Sequence, residues 1–505
     1  MAIILLIIRL FFVNSRDMID FTHTVCAPAT PVGGGAISIV RVSGSDALEV
    51  VDKVVDFRHG DASSAPGYSL KFGTVEGLDD VLVSVFRAPH SYTGEDAAEI
   101  SCHASPYIVE GLLQRLCAAG AVPAEPGEFT RRAFVNGRMD LSQAEAVADL
   151  IASTNEASHH VAMHQLRGGI SSELKDIRAK LVDITSLMEL ELDFSEEEVE
   201  FADRRQLLEL LDSALSHLKR LTDSFRLGNA IRRGVPVAIA GAANTGKSTL
   251  LNALLGEERA IVSPVAGTTR DTVEELFNID GTLFRLIDTA GIRETSDSVE
   301  TIGIERTFEK LMLADSVIAV FDVNSPVETL CSELGNILSR VVLDGRQLII
   351  VLNKADLLEG FDEARHCFSE MGEKSDFPAV SVVNKIVAEF NKIVLLTDNK
   401  VDVIVMAAKT GFNLDKLTEA LSGFQKRRLS DAGTSTLVSN ARHFNALRSA
   451  SRALTLARGG ISSHTPTDLV SQDIREALYH IGTITGEVSD NEVLSTIFSR
   501  FCIGK

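Results

Sequence analysis

The chain has 505 residues, 45% of them hydrophobic and 24% charged, and a formal net charge of −21; that length exceeds what one hydrophobic core serves and implies about three domains. The acidic balance works against unspecific binding to nucleic acid, so any RNA contact is local or supplied by a partner. The six cysteines, Cys26, Cys102, Cys117, Cys331, Cys367 and Cys502, show no C-x-x-C pair and no zinc spacing, so they support neither a disulfide framework nor a metal knuckle, and the chain reads as a reducing, cytoplasmic protein.

The start, Met1 to Val13, is apolar but carries Arg9. It falls short of the roughly 20 residues that span a bilayer and lacks the basic start and cleavage site of a signal peptide. Stable membrane insertion is not expected. Residues 1–17, ahead of Met18, are read as an upstream extension without function.

From Thr24 to about Asp140, short β-type runs such as Ala36 to Val42 and Val81 to Phe86 alternate with turns, which fits an α+β domain. The triple glycine Gly33-Gly-Gly35 precedes a strand rather than a helix, so a dinucleotide fingerprint fails. From Leu141 to about Leu227 the pattern is helical, with Leu181, Ile184, Met188 and Leu192 at three-and-four spacing. The acidic run Asp193 to Glu198 reads as a turn between two long helices. Helical text resumes from about Ser439 to Phe498, with Leu447, Leu454, Leu469, Ile474 and Leu478 on apolar stripes. A helical bundle interrupted by an inserted domain is the economical reading. A nucleotide-driven shape change in the insert could then reach the bundle. The basic doublets Arg131-Arg132, Arg204-Arg205 and Arg232-Arg233, and the run Lys426 to Arg428, read as solvated faces.

The insert opens on Val237-Ala-Ile-Ala-Gly-Ala-Ala-Asn-Thr-Gly-Lys-Ser-Thr-Leu250, an apolar run, a glycine-bounded loop and a helix start. Gly241 and Gly246 let backbone N–H groups wrap a phosphate, Lys247 reaches the β/γ oxygens and Ser248 holds Mg²⁺. A second strand-like run, Leu283 to Ile287, ends in Asp288-Thr-Ala-Gly291, whose carboxylate can reach the Mg²⁺ water shell. A third, Gln347 to Leu352, runs into Asn353-Lys-Ala-Asp356. The Asp356 carboxylate can accept from guanine N1–H and N2–H₂, donors that adenine lacks, so the series selects GTP. Between the first two lies Ile261 to Asp271, the natural first switch, with Thr269 completing the Mg²⁺ sphere. The position after Gly291, where many GTPases carry a water-orienting glutamine, is Ile292, so hydrolysis uses another device. One such device is a K⁺ ion caged by Asn244 and the oxygens of Ser263 to Thr268, with Asn244 as a plain turn residue the competing reading. Glu294, Glu300 and Glu305 are equally placed to orient the water.

Together these residues resemble the MnmE (TrmE) tRNA-modification GTPase family, from about Thr24 onward. The resemblance rests on Ala29-Thr-Pro31, Ile39 to Gly44, Tyr92 to Asp96, Pro126 to Phe129 with Arg132 to Phe134, Asp140 to Ala146, the nucleotide motifs and the terminal Phe501-Cys-Ile-Gly-Lys505. It implies a multidomain α/β fold: an amino-terminal α+β folate-binding-type and dimerisation domain (18–140), a discontinuous helical bundle (141–232 and 426–505) and an inserted Ras-like P-loop GTPase domain (233–425). It implies a homodimer that works with an FAD-containing partner, MnmG (GidA), in a heterotetramer-type complex. The complex would add an aminomethyl-type or carboxymethylaminomethyl group to C5 of the wobble uridine of certain tRNAs, with a tetrahydrofolate derivative (5,10-methylene or 5-formyl) as donor.

By motif position the resemblance puts folate contacts at Arg41, Glu99, Arg138 and Lys505. It puts K⁺ at Asn244, Ser263, Val265 and Thr268, and Mg²⁺ at Ser248 and Thr269. Glu300 becomes the water-positioning carboxylate, and GTP contacts extend over Asn244, Thr245, Gly246, Lys247, Ser248, Thr249, Ser263, Pro264, Val265, Ala266, Gly267, Thr268, Thr269, Asp288, Thr289, Ala290, Gly291, Asn353, Lys354, Asp356, Ala407, Ala408 and Lys409. Cys502 falls where a catalytic thiol could face the folate, or where a structural thiol would be buried. Ala243 replaces a usual proline, and Ala407-Ala-Lys409 a usual Ser-Ala-x element, leaving backbone contacts there. Asn384 to Val387 recurs as Asn391 to Val394 in what reads as an insertion. The competing class is a GTP-dependent assembly or ribosome-associated switch factor without covalent chemistry.

Overall fold

The structure, a computed structural model, describes residues 23–31, 34–193, 204–257, 275–287, 314–339, 346–368, 377–394, 401–432, 436–488, 491–499, 501 and 504. The chain is a multidomain α/β protein whose contacts divide it into two units, one made of Met1–Ala152, Ala162–Asp223 and Arg442–Lys505, the other of Ser153–Val161 and Ser224–Ala441.

The first unit contains a seven-stranded sheet built from β1 (Val25–Pro28), β2 (Ile37–Ser43), β3 (Asp56–Phe57), β4 (Ser69–Val75), β5 (Asp79–Phe86), β6 (Ala97–His103) and β7 (Val122–Pro123), in the order β3-β4-β5-β6-β2-β1-β7. All pairs are antiparallel except β1 with β7. Alternation decides which face is buried. Val40 and Val42, Val81, Val83 and Val85, and Ala98 and Ile100 point to one face, where helices Ala47–Asp52 and Pro106–Ala118 cover them with Leu48, Val51, Leu112 and Leu116. Arg41 and Glu99, directly opposed on β2 and β6, share the other face.

The helical part of this unit includes helices Leu141–Ala152, Gly169–Asp193, Arg204–Asp223, Ala441–Ser462 and Thr467–Thr485. Ile170, Leu174, Ile177, Leu181, Ile184 and Met188 form one buried stripe, and Leu207, Leu211, Ala214, Leu218 and Leu221 another. Burying each Leu or Ile contributes about 1.5–3 kcal/mol, which holds helices together far better than propensity does. In helix Thr467–Thr485 the buried stripe is Val470, Ile474, Ala477 and Ile481. Leu469, expected on that stripe, is exposed, and Leu478 is only half-buried. Arg132 also departs from its reading as a solvated charge. It is fully buried, with its guanidinium donating to Glu128 Oε1 at 2.8 Å and Glu95 Oε1 at 3.2 Å.

The second unit contains a six-stranded sheet of β8 (Val235–Ala240), β9 (Glu275–Ile279), β10 (Thr282–Leu286), β11 (Ser316–Asp322), β12 (Gln347–Asn353) and β13 (Asp402–Val405), in the order β13-β12-β11-β8-β10-β9. Only the β9–β10 hairpin is antiparallel. Its two-residue turn is Asp280-Gly281, both at positive φ, which matches the twist of the strands it joins. β11 and β12 are almost wholly buried because apolar clusters cover both faces of a parallel sheet. Helix Pro378–Val394 accounts for the repeated Asn-Lys-Ile-Val. Seven residues are about two helical turns, so each residue of one copy stacks over its counterpart in the other: Asn384, Lys385, Asn391 and Lys392 are exposed, while Ile386 is buried between Val383 and Phe390. Among the described residues no helix is long and apolar enough to cross a membrane.

Candidate functional site

In the second unit, β8, β11 and β12 run parallel and end at the same edge of the sheet, where an open α/β fold places its ligand crevice. The loop after β8 begins at Gly241 (φ +148°) and closes at Gly246 (φ +95°). Both must be glycine for reasons of space as well as φ. A Cβ on Gly241 would lie 2.2 Å from the Val320 carbonyl oxygen, and one on Gly246 would lie 2.2 Å from Asn353 Nδ2. Asn244, at the loop tip, is left-handed with φ +63°. Thr245 is buried, and its hydroxyl donates to the Ala242 carbonyl at 3.0 Å. Lys247, Ser248 and Thr249 open helix Lys247–Glu257, so the positive end of its dipole faces the loop. The Lys247 ammonium crosses the loop and donates to the carbonyls of Gly241 at 2.9 Å and Ala242 at 2.6 Å. Burial holds its pKa below the usual lysine range, against the opposing pull of the Glu333 carboxylate.

Asn353 joins this loop to the rest of the crevice. Its Nδ2 donates to the Thr245 carbonyl at 2.8 Å, and its Oδ1 accepts from the Ala408 N–H at 2.9 Å. Ala407 is fixed in turn by an isolated bridge to Phe412, and Asn413 donates to the Val405 carbonyl at 2.7 Å. Lys354 follows in the left-handed region, φ +63°, and Asp356 lies in the single turn Ala355–Leu357. The Ala407-Ala-Lys409 departure therefore falls at a point where the Ala408 N–H already serves Asn353. Ser263, Pro264, Val265, Ala266, Gly267, Thr268, Thr269, Asp288, Thr289, Ala290, Gly291 and Glu300 lie outside the described residues.

In the first unit Arg41 and Glu99 meet. Arg41 Nη2 donates to Glu99 Oε1 at 2.7 Å and Nε to the same oxygen at 3.0 Å, while Nη1 donates to the Gly504 carbonyl at 3.2 Å. The guanidinium lies 5.3 Å from the centre of the Tyr92 ring and 5.5 Å from that of Phe129. Burial raises the Tyr92 pKa, although its bond with Thr130 and the nearby Arg41 pull the other way. Gly504 has φ +92°, and a Cβ there would sit 2.1 Å from the Pro28 carbonyl oxygen, so the chain end is seated against β1 at a position only glycine fits. Arg138 is exposed, its stem beside Gly94. Cys502 and Lys505 lie outside the described residues.

Sequence reasoning missed Asp322 and Asn324, which surround Lys354, although Asp322 ends an apolar strand run in the same way that Asp288 and Asn353 do. Among the described residues no cluster of three or more His, Cys, Asp or Glu forms a metal site.

A parallel sheet with a glycine-bounded phosphate loop and an Asn-Lys-x-Asp loop tied together at its carboxyl edge defines a P-loop GTPase. The chain matches the family model for the MnmE helical domain over residues 141–502 and that for the GTP-binding protein TrmE N-terminus over residues 24–138. The tRNA modification GTPase MnmE of Bacteroides thetaiotaomicron is 46% identical, covering 95% of this chain and 99% of the relative. That of Flavobacterium johnsoniae is 45% identical, with coverage of 95% and 99%. The chain belongs to the MnmE family of tRNA modification GTPases. Among solved structures, a GTP-binding protein of Sulfolobus solfataricus in complex with GDP is 15% identical at a TM-score of 0.26, covering 64% of this chain and 78% of that one; so slight a likeness adds nothing to the fold described above.

Proposed function

We propose that the chain is a K⁺-activated GTPase that acts as a homodimer with an FAD-containing partner of the MnmG (GidA) type, in a heterotetramer-type complex in the cytoplasm. The complex adds an aminomethyl-type or carboxymethylaminomethyl group to C5 of the wobble uridine of tRNA. The observation that carries the nucleotide half is the Asn353 carboxamide, which binds the phosphate loop and the Ala408 segment at once. Phosphate and base subsites so linked are set at a fixed spacing before GTP arrives, which lowers the ordering cost of binding.

In this reading Lys247 leaves the loop carbonyls for the β/γ-phosphates, and Asp356 accepts from the guanine edge. Thr245, Gly246, Thr249, Pro264, Ala266, Gly267, Asp288, Thr289, Ala290, Gly291, Asn353, Lys354, Ala407, Ala408 and Lys409 line the same nucleotide. Asn244 with Ser263, the Val265 carbonyl and Thr268 would hold K⁺, and Ser248 with Thr269 would hold Mg²⁺. These ions supply positive charge against the phosphates as charge develops during hydrolysis. The exposed, left-handed Asn244 at the loop tip fits such a ligand, since its carboxamide is open to solvent. Glu300 orients the attacking water.

The Arg41–Glu99 pair fits a tetrahydrofolate derivative in the 5,10-methylene or 5-formyl form. A guanidinium flanked by two aromatic rings, beside a carboxylate, offers one group to a glutamate tail and another to pterin N–H donors. Arg138 and Lys505 would add cationic contacts, and Cys502 would serve as a thiol toward the donor.

The test is reconstitution from the full chain, the FAD partner, tRNA, GTP, 5,10-methylene-tetrahydrofolate as the one-carbon donor and an amine co-substrate as the nitrogen source (ammonium for an aminomethyl product, glycine for a carboxymethylaminomethyl one), with mass analysis of the wobble nucleoside. The reading predicts a new C5 substituent that requires all components and is lost with Arg41→Ala. An unmodified uridine beside normal GTP turnover would instead favour a switch factor without covalent chemistry.

A further inference from the structure

β11 ends at Asp322, which lies directly opposite Asn353 on the neighbouring β12. The next residue after Asn353, Lys354, is held there at both ends. Its ammonium donates to Asp322 Oδ2 at 2.7 Å, and its carbonyl accepts from Asn324 Nδ2 at 3.2 Å. Asn324 closes the ring, because its N–H and its Nδ2 both donate to Asp322 Oδ1, at 3.1 and 3.0 Å. A lysine at φ +63° is in a conformation that L residues adopt at a cost of about 1 kcal/mol or more, and it persists only where its surroundings fix it. Here the fixing groups are Asp322 and Asn324. The residue so constrained is two positions before Asp356, within a single turn of the chain.

We propose that Asp322 and Asn324 are positioning residues for base recognition, a ring around Lys354 that presets the Asn353-to-Asp356 loop for guanine. The proposal rests on the guanine-nucleotide reading above and deepens it, since Asp322 would act on affinity and base choice through Lys354 and Asp356 without touching the phosphates. Burial works to raise the Asp322 pKa, but the Lys354 ammonium and the Asn324 donors outweigh it and hold the carboxyl ionised below its ordinary range. The ring therefore keeps its ion pair throughout neutral pH.

The experiment uses the full chain, with Asp322→Ala, Asp322→Asn and Asn324→Ala beside the unaltered protein. Turnover of GTP and of ITP, whose base lacks the exocyclic amine, is resolved into kcat and KM, and GDP affinity is measured by fluorescence titration. Both alanine variants should raise KM for GTP and Kd for GDP about tenfold, with kcat within about twofold, and should narrow the preference for GTP over ITP. Asp322→Asn, which keeps an acceptor but loses the charge, should recover part of the loss. Unchanged KM in both alanine variants would overturn the proposal, as would kcat and thermal stability collapsing together in both, which marks a merely structural role. If Asp322→Ala does not fold, Asn324→Ala decides alone, because it leaves the Lys354–Asp322 ion pair in place. Absence of GTP binding by the unaltered chain would instead remove the nucleotide reading itself.

Discussion

Asn353 is a side chain whose two polar atoms each complete a different loop, donating to Thr245 on one side and accepting from Ala408 on the other. Both partners are main-chain groups in buried surroundings. Asn353→Ala leaves a carbonyl and an N–H without their bonds, each at about 1–3 kcal/mol, so a loss of about 2 kcal/mol or more is expected in denaturant unfolding of the nucleotide-binding unit. GDP affinity should fall with it. Gly246→Ala is predicted to weaken GDP binding tenfold or more by calorimetry, since its Cβ would meet Asn353 Nδ2 and its φ of +95° excludes other residues. The sequence shows both residues as nucleotide motifs, because their spacing is fixed by the ligand. It does not show that they press on each other, because residues 246 and 353 come together only when β8, β11 and β12 align. The same holds for Arg132: a doublet of arginines looks solvated in one dimension, and only the fold brings Glu95 and Glu128 around it.

At the level of elements, helix Leu141–Ala152 is joined to helix Ala441–Ser462 across nearly three hundred residues of chain by one buried carboxylate. Glu145 Oε2 accepts from Arg442 Nη2 at 2.8 Å and pairs with His443 Nε2 at 2.6 Å. Burial alone would raise the Glu145 pKa, yet His443 and Arg442 outweigh it and bring it down to about 2. A carboxyl whose pKa is lower folded than unfolded stabilises the fold above its unfolded pKa and loses that contribution as pH falls through the folded one. Melting temperature should therefore drop as pH falls from about 4.5 towards 2, and Glu145→Gln should flatten that part of the profile. Equal slopes in the two proteins would contradict the assignment. At neutral pH Glu145→Ala should cost about 1–3 kcal/mol, because it leaves the buried His443 without its carboxylate, while the half-buried Arg442 keeps its bonds to the Thr483 and Ile484 carbonyls. The stripes of these helices were legible where a single three-and-four pattern runs, as from Leu181 to Met188. Helix Thr467–Thr485 carries apolar residues on adjacent stripes, and periodicity alone chose Leu469 and Leu478 where packing selects Val470, Ala477 and Ile481.

For the whole molecule, the charge of −21 sets how it can meet a polyanionic substrate. Filter binding of tRNA to the chain alone should be weak and shallow in its salt dependence, because few phosphates are neutralised, and should become tight only with the partner present. Tight, steeply salt-dependent binding by the chain alone would place the RNA site here instead. The order of the nucleotide motifs, the helical text on either side of them and the terminal Cys-Ile-Gly-Lys made the architecture and family readable from the chain. The proposed GTPase uses a K⁺ ion and a carboxylate in place of the usual glutamine. That mechanism is tested most directly by GTP turnover in matched K⁺ and Na⁺ buffers, with Glu300→Ala measured beside the unaltered protein. Stimulation by K⁺ that disappears in the Glu300 variant is the predicted result; turnover indifferent to K⁺, or unaffected by loss of Glu300, would contradict it.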